Sequence, residues 1–170
     1  MDKPFKDDLE VLNYALTLEH LEATFYRDAV ATFDNAAFTA AGLQTSVRDN
    51  VAAIAEHEKQ HVAALTAAIT QLKGTPVEEG TYDFGYTDLP GFLRTAATIE
   101  GVGVAAYTGA VQYLQDSGDL LTAALTMHGV EARHASYLNL VNGQIPFPDA
   151  ANAAMSPEEV LKAAGPFIKN

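Results

Sequence analysis

The stretches Ile54-Ala55-Glu56-His57-Glu58-Lys59-Gln60-His61-Val62-Ala63-Ala64-Leu65 and Met127-His128-Gly129-Val130-Glu131-Ala132-Arg133-His134-Ala135-Ser136-Tyr137-Leu138 repeat one arrangement. A glutamate is followed three residues later by a histidine, and apolar residues flank the pair at helical spacing. Ile54 and Leu65, like Met127 and Leu138, belong on the core-facing seam of a helix, which puts Glu58, His61, Glu131 and His134 where apolar side chains normally sit. Residues three apart on an α-helix share a face and stand about 4.5 Å apart along its axis. Each pair can therefore grip one ion.

Outward from these stretches, the periodicity predicts an all-α chain with four long helices. The first, about 8–33, starts at a cap from Asp7 or Asp8 and turns Leu9, Leu12, Leu16, Ala23, Tyr26, Val30 and Phe33 inward. A loop around 38–45 joins it to the second, about 46–73, which Ser46 opens and Gly74-Thr75-Pro76 stops. Asp88 caps the third, about 88–116, which Asp116-Ser117-Gly118 interrupts. Asp119 opens the fourth, about 119–142, and Asn142-Gly143 closes it.

Residues 74–88 are polar, rich in turn formers and long enough to run the length of a bundle. They predict a crossover between two helical hairpins. The tail from Gln144 to Asn170 carries Pro146, Pro148, Pro157 and Pro166 and is expected to wrap the surface. Within it, Ser156-Pro157-Glu158-Glu159 forms a capping box that starts one short helix near 156–164. Residues 1–170 read as a single domain.

Glu19 continues the seam of the first helix between Leu16 and Ala23, and Glu100 that of the third between Ala97 and Val104. With the two glutamate–histidine pairs they make six ionisable groups at mid-helix on core-facing positions, each costing several kcal/mol if buried alone. No Lys or Arg shares those seams, so divalent metal ions are the natural neutralising partners. Two Glu and two Glu-x-x-His motifs projecting inward are the ligand set of dimetal-carboxylate bundles. The expected arrangement places one metal at each pair, with Glu19 and Glu100 bridging. Tyr26 and Tyr107 follow Glu19 and Glu100 by seven residues, a heptad relation that lets each hydroxyl hydrogen-bond a ligand from behind. The chain thus repeats one plan, Glu-x6-Tyr then Glu-x-x-His, consistent with a duplication.

These motifs, with Leu12-Asn13-Tyr14-Ala15-Leu16-Thr17-Leu18-Glu19-His20-Leu21-Glu22-Ala23-Thr24-Phe25-Tyr26, resemble the ferritin-like superfamily and its desiccation-related, Rds1-like branch over roughly 8–142. The resemblance implies an up-down-down-up ferritin-like bundle. It also offers Glu22, a place where rubrerythrin-like peroxidases put an extra carboxylate beside the metals, as an additional ligand or else as a flank residue in water; the counterpart of Glu22 in the third helix is Gly103. His20 and His57 are expected at the surface or behind a ligand, and His128, three residues before Glu131, behind a ligand. Gly101, Gly103 and Gly109 weaken the third helix and point to close packing or to a channel beside Glu100.

A net charge of −12, from 22 acidic and 10 basic residues, disfavours nucleic acid and anionic membranes. With no cysteine there is no disulfide, thiolate-bound zinc or iron–sulfur cluster. No run reaches the roughly 18 apolar residues of a membrane span. The chain as given carries no leader, which fits a cytoplasmic protein, or an exported one if a leader has been removed.

The expected function is that of a di-iron, or alternatively di-manganese, oxidoreductase that reacts with peroxide or O2 or oxidises Fe(II). It would draw on an external electron donor, serve in oxidative-stress or desiccation protection, and be compatible with a homodimer. Mineral storage ranks lower, because the short fifth helix of a cage subunit is not evident. The competing expectation is a protective, non-enzymatic protein in which metals stabilise the bundle.

Overall fold

The computed structural model describes residues 4–115 and 118–169; the expected break residues Asp116 and Ser117 lie outside the described residues. Helices dominate: α1 (Asp8–Thr32), α2 (Asn35–Ala40), α3 (Thr45–Gln71), α4 (Leu89–Ala110), α5 (Asp119–Val141) and α6 (Pro157–Ala164). Two short strands, β1 (Thr81–Tyr82) and β2 (Ile168–Lys169), pair antiparallel.

Contacts between the long helices fix their directions. Leu12 and Leu16 of α1 cluster with Leu65 and Ile69 near the end of α3, while Phe25 clusters with Val51 and Ile54 near its start, so α1 and α3 are antiparallel. Tyr26 of α1 reaches Glu100 of α4, and Tyr107 of α4 reaches Glu19 of α1, so these two also run opposite ways. Thr108 meets His128, whereas Leu93 meets Asn142, which makes α4 and α5 antiparallel. The bundle is up-down-down-up, with α3 and α4 joined by the crossover.

Local chemistry sets the ends. Asp7, Asp34 and Asp88 each accept a backbone N–H from the first turn of α1, α2 and α4, and Ser156 and Glu159 form the reciprocal capping box of α6. Such caps contribute about 1 kcal/mol each.

Three expectations about the elements need correction. α3 begins at Thr45 behind Gln44, which makes no side-chain cap, so Ser46 is inside the helix. The expected loop around 38–45 shortens to 41–44, because α2 takes its first residues: Asp34, read only as the end of the first helix, caps a new one. α4 ends at Ala110 and tightens into a 3-10 turn over Val111–Tyr113, which carries the chain across the start of α1, where the Gln115 amide bonds Asp8. The crossover is no bare linker. Asn13 clamps it at Thr75 and Val77, His20 bonds the Val77 carbonyl, and β1 pairs with the tail strand β2.

The tail lies on the α4 side of the bundle. The Met155 amide bonds the Ala105 carbonyl, and the tail backbone crosses α4 so closely at Gly109 that a Cβ there would overlap the Met155 carbonyl oxygen. Gly109 therefore serves a crossing segment, not helix–helix packing. Aromatic side chains Phe25, Tyr26, Phe38 and Phe92 fill one end of the interior, and Leu12, Leu16, Leu65 and Ile69 occupy the other.

Candidate metal centre

Between those two clusters each long helix contributes one glutamate with no solvent exposure: Glu19, Glu58, Glu100 and Glu131. His61 and His134 join them, 8% and 5% exposed. Their donor atoms converge as two quartets, Glu19, Glu58, His61 and Glu131, and Glu58, Glu100, Glu131 and His134. Within each quartet the four atoms lie within 4.8 Å of one another.

The quartets share Glu58 and Glu131. This corrects the expectation that Glu19 and Glu100 bridge: each of those belongs to one quartet only. Antiparallel α3 and α5 are the reason. Their glutamates meet at one level, and the histidines three residues on project to opposite sides of it, each toward the glutamate of a different helix. His61 Nδ1 lies 3.2 Å from Glu19, 3.0 Å from Glu58 and 3.0 Å from Glu131. His134 Nδ1 lies 2.9 Å from Glu58 and 3.4 Å from Glu100.

Hydrogen bonding behind the cluster is reciprocal. Tyr26 donates its hydroxyl to Glu100 Oε1, and Tyr107 donates to Glu19 Oε1, each at 2.5 Å. A tyrosine of one helix thus orients the glutamate of the opposite one, because α1 and α4 are antiparallel. Both phenols are held well above their ordinary pKa by burial and by the adjacent carboxylate, so they remain donors.

His57, which the sequence left at the surface or behind a ligand, packs its ring on His134 with 9° between the planes, and its Nδ1 lies 3.0 Å from His134 Nε2. A proton on His134 Nε2 donated to His57 leaves His134 Nδ1 as a lone pair facing the carboxylates. His128 does not stand behind a ligand. Its Nε2 bonds Thr108 and Asn152, because three residues before Glu131 the helix has rotated toward α4 and the tail.

Glu22 is 2% exposed and lies against Gly103: a Cβ at Gly103 would come within 2.7 Å of Glu22 Oε1 and 3.5 Å of Glu131 Oε2. The missing side chain on α4 is the space that the fifth carboxylate occupies. Glu22 belongs to neither quartet.

Proton sharing reflects the crowding. Against the effect of burial, Glu131, Glu19 and Glu58 push His61 up to about 12, and Glu100 and Glu58 push His134 up to about 9. Burial lifts Glu19 to about 7 and holds Glu22 and Glu131 well above the carboxylate range, while His134 and His61 outweigh burial at Glu58 and hold it near 2.

The donor set fits divalent ions. Glu58 Oε1, Glu100 Oε2, both Glu131 oxygens and His134 Nδ1 are buried with no hydrogen bond, although they lie within reach of one another. Buried carboxylate and imidazole atoms brought together without hydrogen bonds are what a cation site offers. Each quartet offers three carboxylates and one imidazole, a mixed oxygen and nitrogen set suited to iron or manganese.

Residues 7–144 match the family model of the ferritin-like domain. The chain is 23% identical over 168 residues to Protein rds1 of Schizosaccharomyces pombe, an alignment that covers 97% of this chain and 40% of that protein. The chain thus spans about two fifths of the length of this curated relative. No described helix is long and apolar enough to cross a membrane. With the family model matched over most of its length, the chain belongs to the ferritin-like domain family.

Proposed function

We propose that the chain is a dimetal oxidoreductase, with iron as the resident metal and manganese as its alternative. Glu19 and His61 would hold one ion, Glu100 and His134 the other, and Glu58 and Glu131 both. The observation that carries this reading is the set of buried carboxylate oxygens and the His134 Nδ1 left without hydrogen bonds at the centre of the bundle. When bound, a pair of redox-active ions supplies two electrons to one oxidant, taking O2 with two protons to hydrogen peroxide, or hydrogen peroxide with two protons to two waters.

The protein's own groups do the rest. Tyr26 and Tyr107 fix the orientation of Glu100 and Glu19, and His57 keeps the proton of His134 on Nε2. Five carboxylates against two divalent ions leave one excess negative charge, which a proton on Glu22 removes. Burial and the nearby Glu131 favour that protonated form, and Gly103 gives it room. Glu22 is the group from which a proton reaches the oxidant, and it is available as a further ligand once that proton has gone. An external one-electron or two-electron donor restores the reduced state, since the chain has no cysteine for an iron–sulfur relay. We place this chemistry in oxidative-stress or desiccation protection on the strength of the resemblance.

Elemental analysis of purified protein, followed by anaerobic loading with Fe(II) and addition of peroxide or O2, tests the reading. Two irons per chain and an absorption band that rises and then decays as oxidant is consumed support it. Two metals that raise the melting temperature while neither oxidant is consumed assign the ions a structural role.

A further inference from the structure

The two ends of the bundle interior are packed unequally. On one side of the glutamate level the large rings of Phe25, Phe38 and Phe92 are fully buried. On the other side the four long helices line an apolar pocket of about 80 Å³, partly open to solvent past Ala64 and Ala123 and walled by Leu12, Leu65, Ala106, Ala124 and Met127 among others.

The internal repeat shows which side chains are missing. Phe25 follows Glu19 by six residues, and Ala106 follows Glu100 by six; Val51 precedes Glu58 by seven, and Ala124 precedes Glu131 by seven. Alanine thus replaces Phe and Val at matching positions, and the hole lies where they would have packed. Tyr107 connects this hole to the carboxylates, since its ring lines the wall and its hydroxyl bonds Glu19.

We propose that this cavity holds molecular oxygen and makes O2, in preference to peroxide, the oxidant of the centre; the second half rests on the dimetal reading above. Volume narrows the occupant. An apolar cavity of about 150 Å³ stays dry and accepts one benzene or xenon, so an apolar pocket of about half that size suits a diatomic gas. Wall chemistry decides between the oxidants. O2 has no hydrogen bonds to lose on leaving water, whereas each hydroxyl of hydrogen peroxide needs a partner. Among the described residues the one buried wall hydroxyl without a hydrogen bond is that of Tyr14, and a single hydroxyl cannot satisfy both ends of a peroxide.

Xenon serves as the probe. Crystals of the unaltered protein under xenon pressure should show one xenon atom between Ala106 and Ala124, and its absence would overturn the assignment. Ala124→Phe should abolish that xenon site and slow oxidation of loaded iron by O2 about tenfold, with peroxide-driven oxidation and the iron content unchanged. Equal slowing with both oxidants, or none with either, overturns the proposal. If Ala124→Phe fails to fold, Ala68→Leu is the substitute, with the same outcomes required. A chain that takes up xenon but binds no iron removes the dimetal reading and with it the role of O2, while the gas site stands; a chain that binds iron but no xenon does the reverse.

Discussion

Glu58 and Glu131 belong to both donor quartets, Glu19 and Glu100 to one each, and that difference is measurable one residue at a time. Glu58→Gln should lower the iron content from two per chain to none, whereas Glu100→Gln should retain one, as elemental analysis of matched preparations would show. His57→Ala should weaken one of the two ions by about 10- to 100-fold in competition with a chelator, because it frees the His134 ring to rotate. Equal weakening of both ions would show that His57 acts through the fold as a whole. The glutamate–histidine pairs were readable because charge on an apolar seam stands out at a spacing of three. His57 and the sharing of carboxylates were not, since both depend on which helices lie opposite each other and in which direction.

At the level of the elements, the four long helices followed from apolar periodicity, with Asp caps marking the starts of α1 and α4. The parts that periodicity could not reveal are short. α2 has only six residues, and β1 pairs with β2 over two residues each, 87 positions apart, too few for a pattern to repeat. Gly109 is another such case, since its role is set by a tail segment remote in sequence. Gly109→Ala should dislodge the Met155 crossing and destabilise the protein by about 1–3 kcal/mol in chemical denaturation. Gly101→Ala, on the same helix with nothing within 4 Å, should instead stabilise it by up to about 1 kcal/mol.

For the whole molecule, acidity should act in opposite directions on the chelator-treated and metal-loaded forms. In the chelated protein His61 and His134 titrate near 12 and 9 against an ordinary 6.5, so their favourable charge is complete below pH 6.5 and lost as pH rises through those values. Glu19, lifted to about 7 from 4.5, lowers stability further between those two values, while Glu58, held near 2, gives up its contribution only as pH falls below 4.5. Thermal melting of the chelated protein should therefore be highest near pH 4.5, because Glu19, Glu22 and Glu131 are all raised, and decline toward pH 9. The loaded protein should gain stability over the same rise, because ions compete with protons for the same ligands. Parallel melting curves for the two forms would contradict a metal held by these groups.

Sharing of Glu58 and Glu131 also governs how the protein fills. The first ion to arrive strips the proton from Glu131 and freezes the orientation of both shared carboxylates, so the second finds its pocket half assembled and still negatively charged. Loading is then cooperative. In native mass spectra of a sample given one ion per chain, empty and doubly occupied molecules should outnumber singly occupied ones.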